Sequence, residues 1–491
     1  MLLNVSVSIS TISICVKRAL CIAWLGYSCS LSADFNLLES STTLRAHLGS
    51  LYSEFPWSSQ VRDPDRTEME MHYVSDFEPM SQLSLNDLNH ILNNQDVIAQ
   101  IGGMGSAKPN SSDPNLVNEA FATYIDEILA DNGAAWRNVV YQRALEVAGV
   151  SERDYSFFWQ VGNEISAPSY SSNIQKYFEG NTEANDYGAE IVPVYVEYFL
   201  APTIAGFRQA ATELDTNIRV ALGSIAGFSN PNSTVFLDTL LNYEIVGEFA
   251  PSLTGFKVFE LVDIITVHYL MNGSSIDDSD YWRAILENVR DNWLGQGRIS
   301  GVWSTEEVGI RTAEGGAGAG SAIRIASRYL DWVLSNHFNG TQVKWFNYGT
   351  NVGPAGQTIN DGLSALFDLV GDHSLFLKTR DFDTTSSIET YSFFIPELNG
   401  TLVTATSFID DNLISELAVI PDTSAADSID TSRLFSSTGA VDINMSLETS
   451  GSGAKILFDQ KISLERGDSF LIWIQHLGTP DGDPVFKDGF E

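Results

Sequence analysis

Cysteine is scarce and confined to one end of the chain: Cys15, Cys21 and Cys29 are the only three among 491 residues. Everything downstream is free of thiol chemistry, which excludes disulfide staples, thiolate nucleophiles and Cys-ligated zinc there. Positive charge is also short. Lys and Arg total 27 against 63 Asp and Glu, a formal charge of −36, so the overall balance draws the chain to neither nucleic acid nor anionic lipid. The same excess disfavours heavily sulfated or uronate-rich polymers and suits a salty exterior where screening is strong. No segment after residue 33 has the roughly 18 unbroken apolar residues that a membrane span needs. The seven His form no His-x3-His or His-Glu-x-x-His pair, and neither a P-loop nor a Gly-x-Ser-x-Gly elbow occurs. Hydrolysis by metal or serine has no support, and no cofactor is expected.

Apolar side chains are abundant, at 44% of residues with 11% aromatic, enough to bury large cores. Lys17 and Arg18, an apolar run from Ala19 to Gly26 and small residues up to Ala33 follow the order of a secretory signal. Residues 1–33 are therefore expected to be removed on export, which predicts a secreted or periplasmic protein with no membrane contact in its mature form.

From residue 34 to about 370, short β-branched or aromatic runs alternate with longer helical patterns, the rhythm of βα units around a parallel sheet. Six runs are clear: Val97–Ile101, Ser156–Val161, Arg219–Leu222, Ile264–Val267, Gly301–Thr305 and Gln342–Phe346. Thr43–Leu48 makes a seventh candidate strand; no eighth is evident before it, so either the first strand lies inside the N-terminal segment or the barrel is incomplete there. Beyond residue 370 the texture changes to alternating strands with Asn-Gly, Asp-Asn and Gly-Ser turns: Glu389–Ile395, Thr401–Phe408, Glu416–Ile420, Val441–Leu447, Lys455–Phe458 and Phe470–Ile474. The expected α/β architecture is a (β/α)8 TIM barrel over 34–370 followed by a C-terminal antiparallel β-sandwich over 371–477, with a turn-rich flexible tail over 478–491. The glycine-rich stretch Gly315–Ser321 is expected to be a rim loop.

Two acids end predicted strands. Trp159-Gln160-Val161-Gly162-Asn163-Glu164 is an apolar strand running into an amide and a carboxyl, and Gly301-Val302-Trp303-Ser304-Thr305-Glu306-Glu307-Val308-Gly309 repeats the pattern. In a parallel barrel the C-terminal strand ends converge on the catalytic face. A carboxyl there beside apolar walls holds its proton more tightly, as a general acid must. Paired carboxyls on separate strand ends suit glycoside hydrolysis, with retention of configuration when they sit about 5–5.5 Å apart.

These motifs resemble those of the retaining (β/α)8 glycosidase superfamily, which carries Asn-Glu at the end of strand four and a nucleophilic Glu at the end of strand seven. Gly162-Asn163-Glu164 matches the first, Trp303-Ser304-Thr305-Glu306 looks like the second, and Val262–Tyr269 looks like the sixth strand, whose His and Tyr line the sugar site. The trailing sandwich is similar to that of β-xylosidases, arabinofuranosidases, β-glucuronidases and some agarases. The resemblance implies Glu164 as acid/base and Asn163 on the sugar's 2-hydroxyl. Glu306 is the nucleophile of choice, following the Trp-x-Thr pattern and sharing strand parity with Val302 and Ser304; Glu307, in a Glu-x-Gly ending, is the alternative. His268, Tyr269 and Trp303 are expected around the substrate, Tyr269 donating to the nucleophile. Trp345 would form a platform under a pyranose ring, and Arg45 and His47 would support the nucleophile from an early strand. The implied partner is a carbohydrate substrate; the competing reading is an inactive barrel that binds or scaffolds carbohydrate. Specificity is expected in the loops Ser166–Asp186 and Asn272–Trp282, whose Tyr170, Tyr177, Phe178, Tyr281 and Trp282 suit stacking on sugar faces.

Overall fold

A computed structural model describes residues 40–51, 69–73, 96–101, 126, 130–148, 157–166, 191–215, 217–225, 231–268, 286–307, 319–347, 359–383, 385–421, 427–436, 439–450 and 453–477. The signal-like segment with its three cysteines, the two aromatic loops beyond Ser166, Tyr269 and the C-terminal tail lie outside the described residues. Eight parallel strands close into a barrel: β1 (Leu48–Leu51), β2 (Met69–Tyr73), β3 (Asp96–Ile101), β4 (Phe157–Val161), β5 (Arg219–Leu222), β6 (Ile264–His268), β7 (Gly301–Glu307) and β8 (Val343–Asn347). The ring shuts where Leu48 of β1 pairs with Trp345 of β8.

Residues 43–48 do not form the seventh strand expected of them. Leu44–His47 is a single helical turn, α1, and the missing strands lie after it, not before it. β1 contains a glycine, and β2, Met-Glu-Met-His-Tyr, has no β-branched residue; closing the ring, rather than propensity, makes both extended.

The strands alternate between two packed surfaces. Ile98, Phe158, Ala221, Ile264, Trp303 and Phe346 meet inside the barrel, while Trp159, Val161, Leu222, Val267, Val302 and Trp345 belong to the large core shared with the outer helices. Those helices are α2 (Ala134–Ala148), α3 (Ile191–Tyr195), α4 (Ala201–Leu214), α5 (Pro231–Asn242), α6 (Ala319–Ser335) and α7 (Ile359–Val370). A π turn, Val196–Leu200, joins α3 to α4, and its buried Glu197 accepts the backbone N–H groups of Val246 and Gly247 at 2.7 and 2.9 Å.

After α7 the chain forms β9 (Phe376–Asp383), β10 (Ile388–Ile395), β11 (Gly400–Ser407), β12 (Asn412–Pro421), β13 (Ser428–Ser436), β14 (Gly439–Asp442), β15 (Met445–Ser450), β16 (Gly453–Leu464) and β17 (Ser469–Gln475). A six-stranded sheet, β14-β13-β17-β11-β10-β9, faces a three-stranded one, β12-β16-β15. The run Val441–Leu447, expected as one strand, is two: β14 ends in the first sheet and β15 begins in the second. The central strands are apolar on both faces for a reason. Val403, Ala405, Phe470 and Ile472 pack between the two sheets, and Tyr391, Phe393, Leu402 and Trp473 join the barrel's own core.

Helix α6 makes that junction. Its Arg324 and Arg328, wholly buried, grip Glu389 of β10 at 3.0–3.1 Å, and Tyr391 donates its hydroxyl to the same carboxylate at 2.7 Å. Burial opposes the charge on Glu389, but Arg328 and Arg324 outweigh it and hold the carboxyl below its ordinary range. Burial and the neighbouring Arg328 bring Arg324 down to about 9. The end of the glycine-rich stretch is not rim loop but the start of α6. A Cβ on Gly320 would collide with Gly467 O and lie 2.7 Å from Phe435 O, and Ser469 Oγ donates to Gly320 O at 2.7 Å. Glycine is needed there because two backbones touch.

Candidate active site

At the end of β4 the chain turns sharply. Gly162, with φ +88°, donates its N–H to Ile101 O at 2.8 Å; Glu164 takes φ +48°, a left-handed conformation that costs a residue with a Cβ about 1 kcal/mol or more. Such strain persists only where neighbours hold it. Here the end of β5 does so. Glu164 N–H donates to Ser224 Oγ at 2.9 Å, Ser224 Oγ–H donates to Asn163 Oδ1 at 3.0 Å, and Ile165 N–H donates to Ser224 O at 2.9 Å. Beneath this clamp Tyr195 donates to Val161 O at 2.7 Å and accepts Gly223 N–H at 3.1 Å. Burial pushes its phenol far up, so it stays a donor. Gly223 has no room for a side chain, because a Cβ would strike Val161 O and lie 2.9 Å from the Tyr195 oxygen.

The next strand supplies the partner of Glu164. His268 N–H donates to Ile225 O at 2.9 Å, which brings the ring level with the β4 turn. Nδ1 of His268 lies 3.2 Å from Glu164 Oε1; the imidazole is fully buried and the carboxyl 30% exposed. The arrangement is an acid anchored on one side by a buried ring and open on the other to the rim, as proton delivery to a substrate requires.

Strand β7 completes the neighbourhood in register. Val267 pairs with Ser304, but His268 pairs with Glu306, and Glu307 pairs with Asn347 of β8. The alternation expected to carry through Val302, Ser304 and Glu306 is therefore interrupted by a bulge at Thr305. Only the backbones of Glu306 and Glu307 are described.

Four of the expected site residues belong elsewhere. Trp345 faces the helices, buried between Tyr329, stacked at 4.6 Å and 8°, and His47 at 6.2 Å; a ring covered this way offers no face to a sugar. Trp303 is a plug of the inner barrel, edge-on to Phe158 at 4.6 Å with its Nε1–H donated to Thr341 O at 3.0 Å. Arg45 and His47 lie on α1, ahead of β1, at the N-terminal floor opposite Glu164. Arg45 pairs with Asp372 at 3.4 Å. His47 Nδ1–H donates to Val343 O and Nε2 accepts from Thr42 Oγ1, both at 2.7 Å; burial brings its pKa down to about 4. Sequence reasoning missed Ser224, Gly223 and Tyr195. The Gly-Ser pair directly after the run Arg219–Leu222 was the available signal.

Among the described residues no group of three or more His, Cys, Asp or Glu could hold a metal ion, and no helix is long and apolar enough to cross a membrane.

The chain is similar in structure to glycoside hydrolases. A family 30 subfamily 8 xylanase from Clostridium acetobutylicum matches with a TM-score of 0.43 at 11% identity, over 89% of this chain and 97% of that one. A family 51 α-L-arabinofuranosidase from Bifidobacterium longum gives 0.46 at 8%, over 89% and 97%. A bifunctional glucanase-xylanase from a metagenome library gives 0.46 at 9%, over 90% and 98%. No protein-family model and no curated protein matches the sequence.

Proposed function

We propose that this chain is an exported retaining glycoside hydrolase that cleaves O-glycosidic bonds in a neutral or weakly charged oligosaccharide or polysaccharide. The observation that carries the reading is the half-open Glu164 carboxyl at the end of β4, in contact with His268 of β6, whose backbone is in register with Glu306 of β7. In the first step Glu164 gives its proton to the glycosidic oxygen while the Glu306 carboxylate attacks the anomeric carbon. The bond to the leaving group breaks and a glycosyl ester forms. In the second step Glu164, now ionised, takes a proton from water as the water oxygen displaces Glu306, and both groups return to their starting states. Asn163 binds the 2-hydroxyl and Tyr269 donates to Glu306. Glu306 is preferred to Glu307 because it shares a register position with His268, the residue that meets Glu164, whereas Glu307 shares one with Asn347.

The pattern from Lys17 to Ala33 supports export, and the barrel over 34–370 is the catalytic unit, with 371–477 as its buttress. The test is the pair Glu164→Ala and Glu306→Ala with azide added. Rescue of the first is expected to give a glycosyl azide of the substrate's own anomeric configuration, and rescue of the second the opposite anomer. Undiminished hydrolysis by both purified variants would remove the reading, and loss in Glu307→Ala instead of Glu306→Ala would move the nucleophile by one residue.

A further inference from the structure

Ser224 is wholly buried at the end of β5 and holds three groups of the β4 turn at once. Its hydroxyl oxygen accepts the N–H of Glu164, its hydroxyl proton goes to the amide oxygen of Asn163, and its carbonyl accepts the N–H of Ile165. A hydroxyl has one proton to give. With that proton on Asn163 Oδ1, the amide is fixed with its carbonyl toward β5 and its NH2 turned away from it. The same oxygen keeps the left-handed backbone of Glu164 in place, and that backbone determines where the carboxyl starts out toward His268. Gly223 makes the approach possible, since any Cβ there would push β5 off β4.

We propose that Ser224 is the positioning residue of this site, a single side chain that both locks Glu164 in its strained turn and selects the face of Asn163 offered to the sugar. The activity readouts rest on the glycosidase reading above; the geometry readout does not. Ser224→Ala is expected to lower kcat about 10- to 100-fold on the aryl glycoside that the wild-type chain hydrolyses fastest, since misplacement of about 1 Å costs up to that much, with KM changed less than about threefold. A merely structural serine would not alter the response to the substrate's own hydroxyl. For a positioning serine, the rate penalty of the 2-deoxy glycoside shrinks in Ser224→Ala, because Asn163 no longer presents its amide. Ser224→Cys, nearly isosteric but weak in hydrogen bonding, takes its place if the alanine variant does not fold.

A crystal structure of the variant reads the clamp without substrate. Glu164 leaving its left-handed conformation, or the Asn163 amide turning over, supports the proposal; an unchanged turn overturns it. So does an undiminished kcat with the 2-deoxy penalty intact. If the wild-type chain hydrolyses no glycoside, the glycosidase reading falls and the variant structure alone decides the role of Ser224.

Discussion

Two buried histidines mark the two ends of the barrel. His47, on the floor, has both ring nitrogens occupied by neutral partners, Thr42 and Val343, and a tryptophan stacked on its face. His268, at the rim, is just as buried, but its Nδ1 meets the carboxyl of Glu164, a group that remains open to solvent. The floor is a π stack around a histidine whose two nitrogens are both satisfied, and a change there disturbs packing. The rim holds a non-glycine residue at φ +48° with a carboxyl at its tip, so local stability is given up for placement. Equal burial therefore says little about role; the acidity and openness of the partner decide it.

The largest expected effect breaks the floor. Trp345→Ala should destabilise the fold by about 3–5 kcal/mol, the range for deleting a fully packed aromatic, seen as a lower urea midpoint with KM unchanged in the folded fraction. A raised KM with unchanged stability would return Trp345 to the sugar site.

Acidification separates the ends next. The folded pKa of His47 lies at about 4, below the free value of 6.5, so its contribution is complete above pH 6.5 and is lost as pH falls through 4. The integrated loss is up to about 3 kcal/mol. Unfolding midpoints of the wild-type chain and His47→Gln, compared from pH 7 to 4, should converge as the pH drops; parallel curves would contradict the burial argument.

At the rim, His268→Ala should cost about 100-fold in kcat, roughly 2.7 kcal/mol of transition-state stabilisation, while the melting temperature moves only a few degrees. A collapse of the fold with normal kcat would make His268 a second His47.

The smallest effect serves as a control in the sandwich. Asp468 is raised to about 6, mainly by burial, with Glu465 and Asp410 nearby. Its stabilising share is complete below pH 3.8 and declines as pH rises through 6, so Asp468→Asn should gain about 1 kcal/mol at pH 8 and nothing at pH 4. A stability difference that grows on acidification would reverse the sign.

Much of the barrel could be read from the chain because most of its strands are packed on both faces and so appear as largely apolar runs; Ser156–Val161 and Ile264–Val267, each interrupted only by small or uncharged polar residues, are such runs. β1 and β2 could not be, because Leu-Gly-Ser-Leu and Met-Glu-Met-His-Tyr carry no extended preference of their own. Arg45 and His47 were misplaced for the same reason: with β1 starting at Leu48 rather than Thr43, they fall below the sheet instead of within it. The candidate motif Asn163-Glu164 was legible as an acid at a strand end. Ser224 was not, since a lone serine after a strand has no chemistry until a neighbouring strand brings a backbone N–H to it.

Composition and pattern alone determined that this is a thiol-poor, acidic α/β chain with strand-end carboxyls and a β-rich C-terminal region. These properties follow from residue type and short-range spacing. Tertiary structure decided which tryptophans are floor, wall or plug, which end of the barrel each histidine occupies, and that barrel and sandwich share one core through α6. Those outcomes depend on which residues from distant parts of the chain become neighbours, and closure of the ring, not local preference, settles that.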